Sequence, residues 1–206
     1  SWVRVTALGS YREVGRAMHL VTTNESKVLV DCGAKPTSNR NEVQPFFAAP
    51  EMLPLDNIDA VVITHAHVDH IGMLPVLFRF GYKGPVYCTQ PTRDLMTLLQ
   101  MDYIKVAQAE GNEAPYSKSD IQECIKHVVD VNWGEKTDIA PDIKMTMENA
   151  GHILGSSSVY MQIGEGRDEH KLLFSGDIKY EKSWLFDAAT VRFNKVDTLV
   201  IESTYG

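Results

Sequence analysis

The segment ITHAHVDHIGMLP, residues 63–75, constrains the fold of this chain more than any other part of its sequence. It carries three histidines and one aspartate within six positions, directly after the apolar run at residues 60–63. Such an apolar run predicts a buried strand. Because imidazole and carboxylate groups are ligands of divalent metals such as zinc, the end of this strand is a candidate metal site.

The spacing within the segment predicts how its side chains are shared. In an extended segment, side chains two positions apart point to the same side. We therefore expect His65 and His67 to aim at one point, and Asp69 and His70 to aim at a neighbouring point. One segment would then supply two ligands to each of two metal ions. The alternative is a chance polar cluster on a surface loop, which leaves four coordinating side chains after a buried strand unexplained.

Further candidate ligands follow other predicted strands. His152 and Asp177 each come shortly after an apolar run, and both are flanked by glycine. Glycine permits tight turns and a close approach of the backbone to a ligand. Asp31 has a similar setting, and Glu202 ends the last predicted strand. The alternative for these four residues is an ordinary role in a turn or a cap.

The order of the predicted elements indicates an α/β domain with two sheets covered by helices. The predicted strands are 2–8, 17–23, 27–31, 60–63, 86–89, 128–131, 143–149, 157–163, 171–174 and 197–201. The predicted helices are 74–80, 91–107 and a third that begins at Ser117 or Ser119 and ends near His127. Residues 32–57 contain four of the nine prolines and are predicted to form a loop.

Composition bounds the class of protein. A chain of 206 residues is long enough for one sizeable core. The net charge of −7 argues mildly against non-specific binding of polyanions, although bound metal ions would change the local sign. The three cysteines are far apart and form no CxxC, which favours small buried thiols in a reducing compartment, the cytoplasm. No apolar run approaches the length of a membrane span, so no membrane partner is expected.

Several segments together resemble the metallo-β-lactamase superfamily, and within it the β-CASP ribonucleases. The superfamily pattern is HxHxDH followed by an isolated histidine and aspartate. More specific are GSYREVGR (9–16), LVDCG (29–33), THAHVDH (64–70), AGHILGSSS (150–158), FSGDIKY (174–180) and IESTYG (201–206). The sequence is most similar to the archaeal homologues of the cleavage and polyadenylation specificity factor nuclease, and the resemblance covers nearly the whole chain.

This resemblance implies an αββα sandwich that is incomplete in this chain. Residues 1–206 would form the N-terminal segment of the metallo-β-lactamase domain and would end where the β-CASP cap begins. The C-terminal part of the domain, with a last histidine ligand and a histidine that acts as general acid, would lie beyond Gly206. The isolated chain is therefore expected to bind metal incompletely and to cleave RNA poorly.

The resemblance also assigns roles to the candidate residues. It implies two zinc ions, although the ligands would also accept manganese or iron. One ion would be held by His65, His67 and His152, and the other by Asp69, His70 and Asp177, with Asp177 bridging. Asp31 matches a carboxylate that fixes a ligand imidazole, and Glu202 matches the glutamate that orients the general acid.

The implied function is that of a zinc-dependent ribonuclease. Hydroxide generated at the metals would attack the phosphodiester bonds of RNA, internally and also from the 5′ end, in mRNA 3′-end processing or transcription termination. Ser156 and Ser157 are candidate donors to a substrate phosphate. Arg12 and Arg16 are equally consistent with substrate contacts and with a solvated surface. RNA is the expected partner, together with the missing segments of a longer protein that could form a homodimer.

Two other functions remain open at this point. One is hydrolysis of a different substrate, such as a thioester or a lactam, and the segments GSYREVGR and IESTYG argue against it. The other is a metal-free RNA-binding scaffold, and the complete set of six candidate ligands argues against it.

Overall fold

The computed structural model describes residues 2–37, 42–190 and 193–203, which form two sheets and four helices. The first sheet has the order β1-β2-β3-β4-β5-β6. Its strands are β1 Arg4–Gly9, β2 Met18–Thr22, β3 Lys27–Val30, β4 Ala60–Val62, β5 Val86–Cys88 and β6 Val128–Asp130. The strands β1 to β3 are antiparallel, and β3 to β6 are parallel.

The second sheet has the order β11-β10-β9-β8-β7. Its strands are β7 Lys136–Ala140, β8 Ile143–Asn149, β9 Ser157–Ile163, β10 His170–Phe174 and β11 Thr198–Val200. Neighbours from β7 to β10 are antiparallel, and β11 lies parallel to β10. Strands β8, β10 and β11 therefore run in the same direction and end at the same edge of the sheet.

The helices are α1 Val68–Ile71, α2 Leu74–Arg79, α3 Gln90–Ala109 and α4 Lys118–Lys126. Ser117 caps α4 through a capping box with Asp120, which decides between the two predicted start residues. The single turn α1 was not predicted, because four residues are too few to show a helical period. Strand β7 was also missed, since its sequence KTDIA is short and polar and lies at an edge.

Two apolar cores hold the helices and the two sheets together, and β4 contributes residues to both cores. Val61 packs in the core beneath the helices, whereas Ala60 and Val62 face the core between the two sheets. Burial on both faces explains the unbroken apolar run of this strand. In the described part of the chain, helices cover the first sheet, and no helix lies over the outer face of the second. The prediction of an incomplete αββα sandwich is thereby confirmed. No helix in the described ranges is long and apolar enough to cross a membrane.

Candidate metal centre

Strand ends from both sheets meet at one place on the molecule. The loop after β4 carries the histidines of residues 65–70, and Asp31 follows the neighbouring parallel strand β3. From the second sheet, His152 follows β8 and Asp177 follows β10. These site residues lie in segments that follow strands of the two sheets, and Asp69 and His70 lie in the short helix α1, so rigid elements position the side chains.

Four side chains form a group of the size that one metal ion requires. One ligand atom from each of His65, His67, His152 and Asp177 lies within 4.8 Å of all the others. Nε2 of His152 is 3.4 Å from Nδ1 of His67 and 3.5 Å from Oδ2 of Asp177. A tetrahedral ion with bonds of about 2.1 Å separates its ligand atoms by about 3.4 Å. The spacing of the group therefore fits a tetrahedral ion.

The Nε2 atom of His65 gives an independent test of that fit. His65 is fully buried, and its Nε2 has no hydrogen-bond partner in the structure. It lies 3.7 Å from Oδ2 of Asp177. An unsatisfied buried polar atom carries a free-energy cost of about 1–3 kcal/mol. A metal ion between these two side chains would give the nitrogen a partner, so the residues fit a metal.

A second, smaller group lies on the other side of the Asp177 carboxylate. Nε2 of His70 is 3.6 Å from Oδ1 of Asp177 and 3.5 Å from Oδ2 of Asp69. The two oxygens of Asp177 therefore face two different groups of nitrogen and oxygen atoms.

Asp31 fixes the orientation of the ring of His70. Its Oδ2 lies 2.7 Å from Nδ1 of His70, and the same oxygen accepts a hydrogen bond of 2.9 Å from the hydroxyl of Thr64. Because the Thr64 hydroxyl donates its proton to Asp31, its oxygen can only accept a hydrogen bond from Nδ1 of His65, which lies 3.0 Å away. In its neutral form each of these two rings then carries its proton on Nδ1 and turns Nε2 towards Asp177, the tautomer that a metal bound at Nε2 requires.

Thr64 and Gly33 are site residues that the sequence reading missed. A Cβ atom at Gly33 would lie 1.6 Å from the carbonyl oxygen of Asp69, so the backbone of α1 approaches this position too closely for any other residue. Thr64 stands directly before His65, and this adjacency is the sole feature of the sequence that connects Thr64 with the metal site. Gly33 was visible in the segment LVDCG, but its packing against α1 requires the tertiary structure.

The structure does not favour the phosphate contacts predicted for Ser156 and Ser157. Both residues are buried. The hydroxyl of Ser156 accepts hydrogen bonds from the backbone N–H groups of His152 and Ile153, each at 3.1 Å. The hydroxyl of Ser157 donates to the carbonyl of Gly155 and accepts from the indole of Trp133. These serines shape the His152 turn from within, and their hydroxyls are engaged there.

A cavity of about 360 Å³ opens beside the second ligand group. Acidic and basic side chains line it, and these include Arg12, Asp31, Asp69, His70, Asp177 and Glu202. The backbone N–H of Glu202 donates to Oγ of Ser175, 3.1 Å away, which ties the end of β11 to the end of β10. The predicted residues Asp31, Asp69 and Glu202 are therefore brought to one cavity.

The electrostatic surroundings divide the four histidines. Burial and neighbouring imidazoles hold the pKa of His65 well below its usual value, and burial also lowers the pKa of His67 and of His152. These three rings are neutral at pH 7, the form that binds metal. For His70, burial opposes protonation, but nearby carboxylates led by Asp31 outweigh it and raise the pKa to about 9.

Comparison with known proteins identifies the family. The model of the metallo-beta-lactamase superfamily domain matches residues 20–202, which include all six candidate metal ligands, Asp31 and Glu202. The chain belongs to the metallo-β-lactamase superfamily. The resemblance inferred from its motifs is confirmed. Domains of this superfamily are generally metal-dependent hydrolases, and the histidine and aspartate cluster of this member could bind metal.

Three curated relatives of this chain share one name. The chain is 53% identical over 205 residues to the transcription termination factor FttA of Methanosarcina mazei and 51% identical to that of Methanocaldococcus jannaschii. It is 50% identical to the FttA of Thermococcus kodakarensis. All of this chain aligns in each case, yet it spans only 32% of the length of each relative.

Solved structures agree with the fold of the superfamily. The Rm3 metallo-beta-lactamase matches with a TM-score of 0.51 and 19% identity, covering 82% of this chain and 58% of that one. A protein of unknown function from Enterococcus faecalis V583 matches with a TM-score of 0.59 and 15% identity, covering 86% and 44%. At this level of identity, the likeness concerns the fold.

Proposed function

We propose that this chain forms the catalytic centre of a zinc-dependent ribonuclease. The observation that carries the proposal is the position of Asp177 between two groups of ligands. Its Oδ2 faces His65 and His152 at 3.7 and 3.5 Å, and its Oδ1 faces His70 at 3.6 Å. Two bound ions would lower the pKa of water and stabilise the charge of a phosphoryl group, the chemistry that hydrolysis of a phosphodiester needs.

In this proposal, the residues of the chain divide the work. His65, His67 and His152 would hold one ion, Asp69 and His70 would hold the other, and Asp177 would serve both. Asp31 accepts from Nδ1 of His70, so that Nε2 is the nitrogen a metal would bind after displacing its proton, and Thr64 extends this orientation to His65. Glu202 lines the cavity, where it would orient a general acid supplied by the remainder of the protein.

The charge of the cavity makes substrate binding dependent on the metals. Asp31, Asp69, Asp177 and Glu202 line the cavity together, and an acidic cavity repels a phosphodiester. Cations held between these carboxylates would reverse the local sign. This explains how a protein with a net charge of −7 would attract RNA to this one place.

RNA is favoured over a thioester by the relatives. The chain aligns over its whole length with proteins named transcription termination factors, whose work concerns RNA synthesis. We therefore place the RNA cleavage in transcription termination or 3′-end processing, in the cytoplasm of an archaeal cell. Endonucleolytic cleavage, with 5′-exonuclease activity as a second mode, is the reaction proposed for the protein at its full natural length. A β-CASP cap and a homodimer belong to the same proposal.

The experiment uses the protein at its full natural length, loaded with zinc, and a single-stranded RNA labelled at its 5′ end. We expect cleavage that leaves a 5′-phosphate and a 3′-hydroxyl. His152→Ala should abolish it, because one ion loses a ligand. His127→Ala is the matched control, since the ring of His127 contacts Glu123 of α4 and Phe78 and belongs to neither group of candidate ligands.

Two results would overturn the proposal. One is intact RNA together with hydrolysis of a glutathione thioester by the same preparation, which would make the protein a hydrolase of another substrate. The other is RNA cleavage that is equally fast in the His152→Ala variant, which would place the active site elsewhere.

A further inference from the structure

The loop from Ser10 to Arg16 forms one rim of the cavity. Ser10, Arg12 and Glu13 line the same cavity as Asp69, His70 and Asp177. Arg12 itself is exposed, so its guanidinium can reach a molecule that enters from solvent. Of these three rim residues, Arg12 carries a positive charge.

The backbone of this rim is held in an uncommon conformation. The non-glycine residues described with φ in the left-handed region are Ser10 at 64°, Arg12 at 56°, Arg16 at 43° and Asp31 at 62°. Three of them line the cavity, and the fourth ends the rim loop. Left-handed backbone in residues other than glycine is costly and tends to cluster at ligand sites. The conformation therefore points to a function of this loop.

Arg12 differs from the neighbouring cations Arg16 and Lys35 in its ion pairing. Glu13 accepts from Arg16 at 2.5 Å and from Lys35 at 2.8 Å, and Glu42 lies 3.3 Å from Lys35. In the described ranges, no carboxylate lies within ion-pair distance of Arg12. The contact recorded for its guanidinium is the ring of Tyr11, at 5.9 Å from the ring centroid. Glu13 thus pairs with Arg16 and Lys35, whereas the guanidinium of Arg12 is exposed to solvent at the cavity.

We propose that Arg12 binds a phosphate of the RNA backbone, next to the phosphate held at the metal centre. The proposal rests on the ribonuclease function proposed above and adds a substrate-binding residue to it. A guanidinium presents a planar fork of donors that matches the oxygens of a phosphate. The flanking Tyr11 is 73% exposed and offers a ring face to an unstacked base. Single-stranded RNA supplies both the phosphate and the base.

The test compares Arg12→Gln, Arg12→Lys and the control Arg167→Gln in the protein at its full natural length. Arg167 is also exposed, but it lies in the turn between β9 and β10, at the opposite end of those strands from the metal centre. Zinc-loaded protein is mixed with a fluorescein-labelled single-stranded RNA of twelve nucleotides. Stopped-flow anisotropy records binding before cleavage, at several salt concentrations.

We expect Arg12→Gln to weaken RNA binding by about 5- to 50-fold and to reduce the slope of log K against log[salt] by about 0.7, the value for one phosphate contact. Arg12→Lys should keep the slope and regain part of the affinity. Arg167→Gln should match the wild type.

Equal RNA affinities and equal salt slopes for Arg12→Gln and Arg167→Gln would overturn the inference. If the wild type still cleaves RNA in that case, the ribonuclease proposal stands. A lower melting temperature of Arg12→Gln with unchanged RNA binding would show that Arg12 pairs with another part of the protein, and would overturn the inference as well. If the wild type neither binds nor cleaves RNA, both proposals fail.

Discussion

Nδ1 of His70 lies 2.7 Å from Oδ2 of Asp31, although the two residues are 39 positions apart. The same carboxylate accepts from the hydroxyl of Thr64, which in turn contacts Nδ1 of His65. One buried acid therefore fixes two imidazoles that face opposite oxygens of Asp177. Asp31 does this from the left-handed backbone conformation directly after β3, which turns its side chain towards the β4 loop.

Replacing Asp31 with asparagine should lower the affinity for zinc by about 10- to 100-fold, the range found when a partner of a metal-binding imidazole is removed. The amide keeps the shape of the side chain but is neutral, so it favours the Nδ1-protonated ring less. Competition with a chromophoric chelator measures the affinity. Asp130→Asn, which removes only the pairing with Arg93, is the control and should bind zinc as the wild type does. Equal affinities in the two variants would contradict the role assigned to Asp31.

Gly33→Ala should disturb the fold and the second ligand group together. Its Cβ would lie 1.6 Å from the carbonyl oxygen of Asp69 and 2.7 Å from the backbone nitrogen of His70, so α1 must move. We expect a loss of about 3 kcal/mol in the free energy of unfolding, measured by urea denaturation. Gly111→Ala meets nothing within 4 Å and should cost only the left-handed backbone penalty, about 1 kcal/mol. A Gly33→Ala variant as stable as Gly111→Ala would show that this approach is not tight.

The ion pairs of Glu13 should stabilise the fold in a defined range of pH. Hydrogen bonds from Arg16 and then Lys35 lower the pKa of Glu13 from 4.5 to about 2. Because the pKa is lower in the folded state, the contribution is fully present above the unfolded value and is lost as the pH falls from 4.5 towards 2. The stability difference between the wild type and Glu13→Gln, from urea denaturation in chelator, should shrink over that range. Glu25→Gln, in an exposed turn, is the control. A difference that stays constant down to pH 2.5 would refute the pairing.

The three cysteines should be inert in the folded protein. Cys32, Cys88 and Cys124 are free and buried, and burial raises the pKa of the Cys88 thiol to about 12. Since the thiolate is the reactive form, thiol reagents have neither access nor a nucleophile. Ellman's reagent should detect no thiol in the native chain and three after denaturation in guanidinium. Rapid reaction of one thiol in the native state would mean that its region opens.

The sequence was sufficient to predict the features that repeat or cluster locally. Burial of β4 on both faces makes its apolar run visible, and the ligands His65 to His70 follow it within a few positions. His152 and Asp177 could be found because each follows a strand and is flanked by glycine. These features depend on residues that are neighbours in the chain, so they can be recognised from the sequence.

What the sequence could not reveal depends on tertiary contacts. The hydroxyls of Ser156 and Ser157 are used inside a turn, and nothing in the run of serines distinguishes that use from binding a phosphate. The role of Thr64 depends on Asp31, which comes from a different strand. The strand β7 exists because β8 lies beside it, whereas its own residues are mostly polar.

Asp177 is proposed to serve two metal ions held by residues from both sheets. Anomalous diffraction at the zinc edge, from crystals of the zinc-loaded protein at its full natural length, would locate such ions. We expect two zinc peaks about 3.5–4 Å apart, one bonded to His65, His67 and His152, the other to Asp69 and His70, and both to Asp177. Zinc peaks that lie outside bonding distance of His152 and Asp177, or the complete absence of zinc peaks, would refute the proposal.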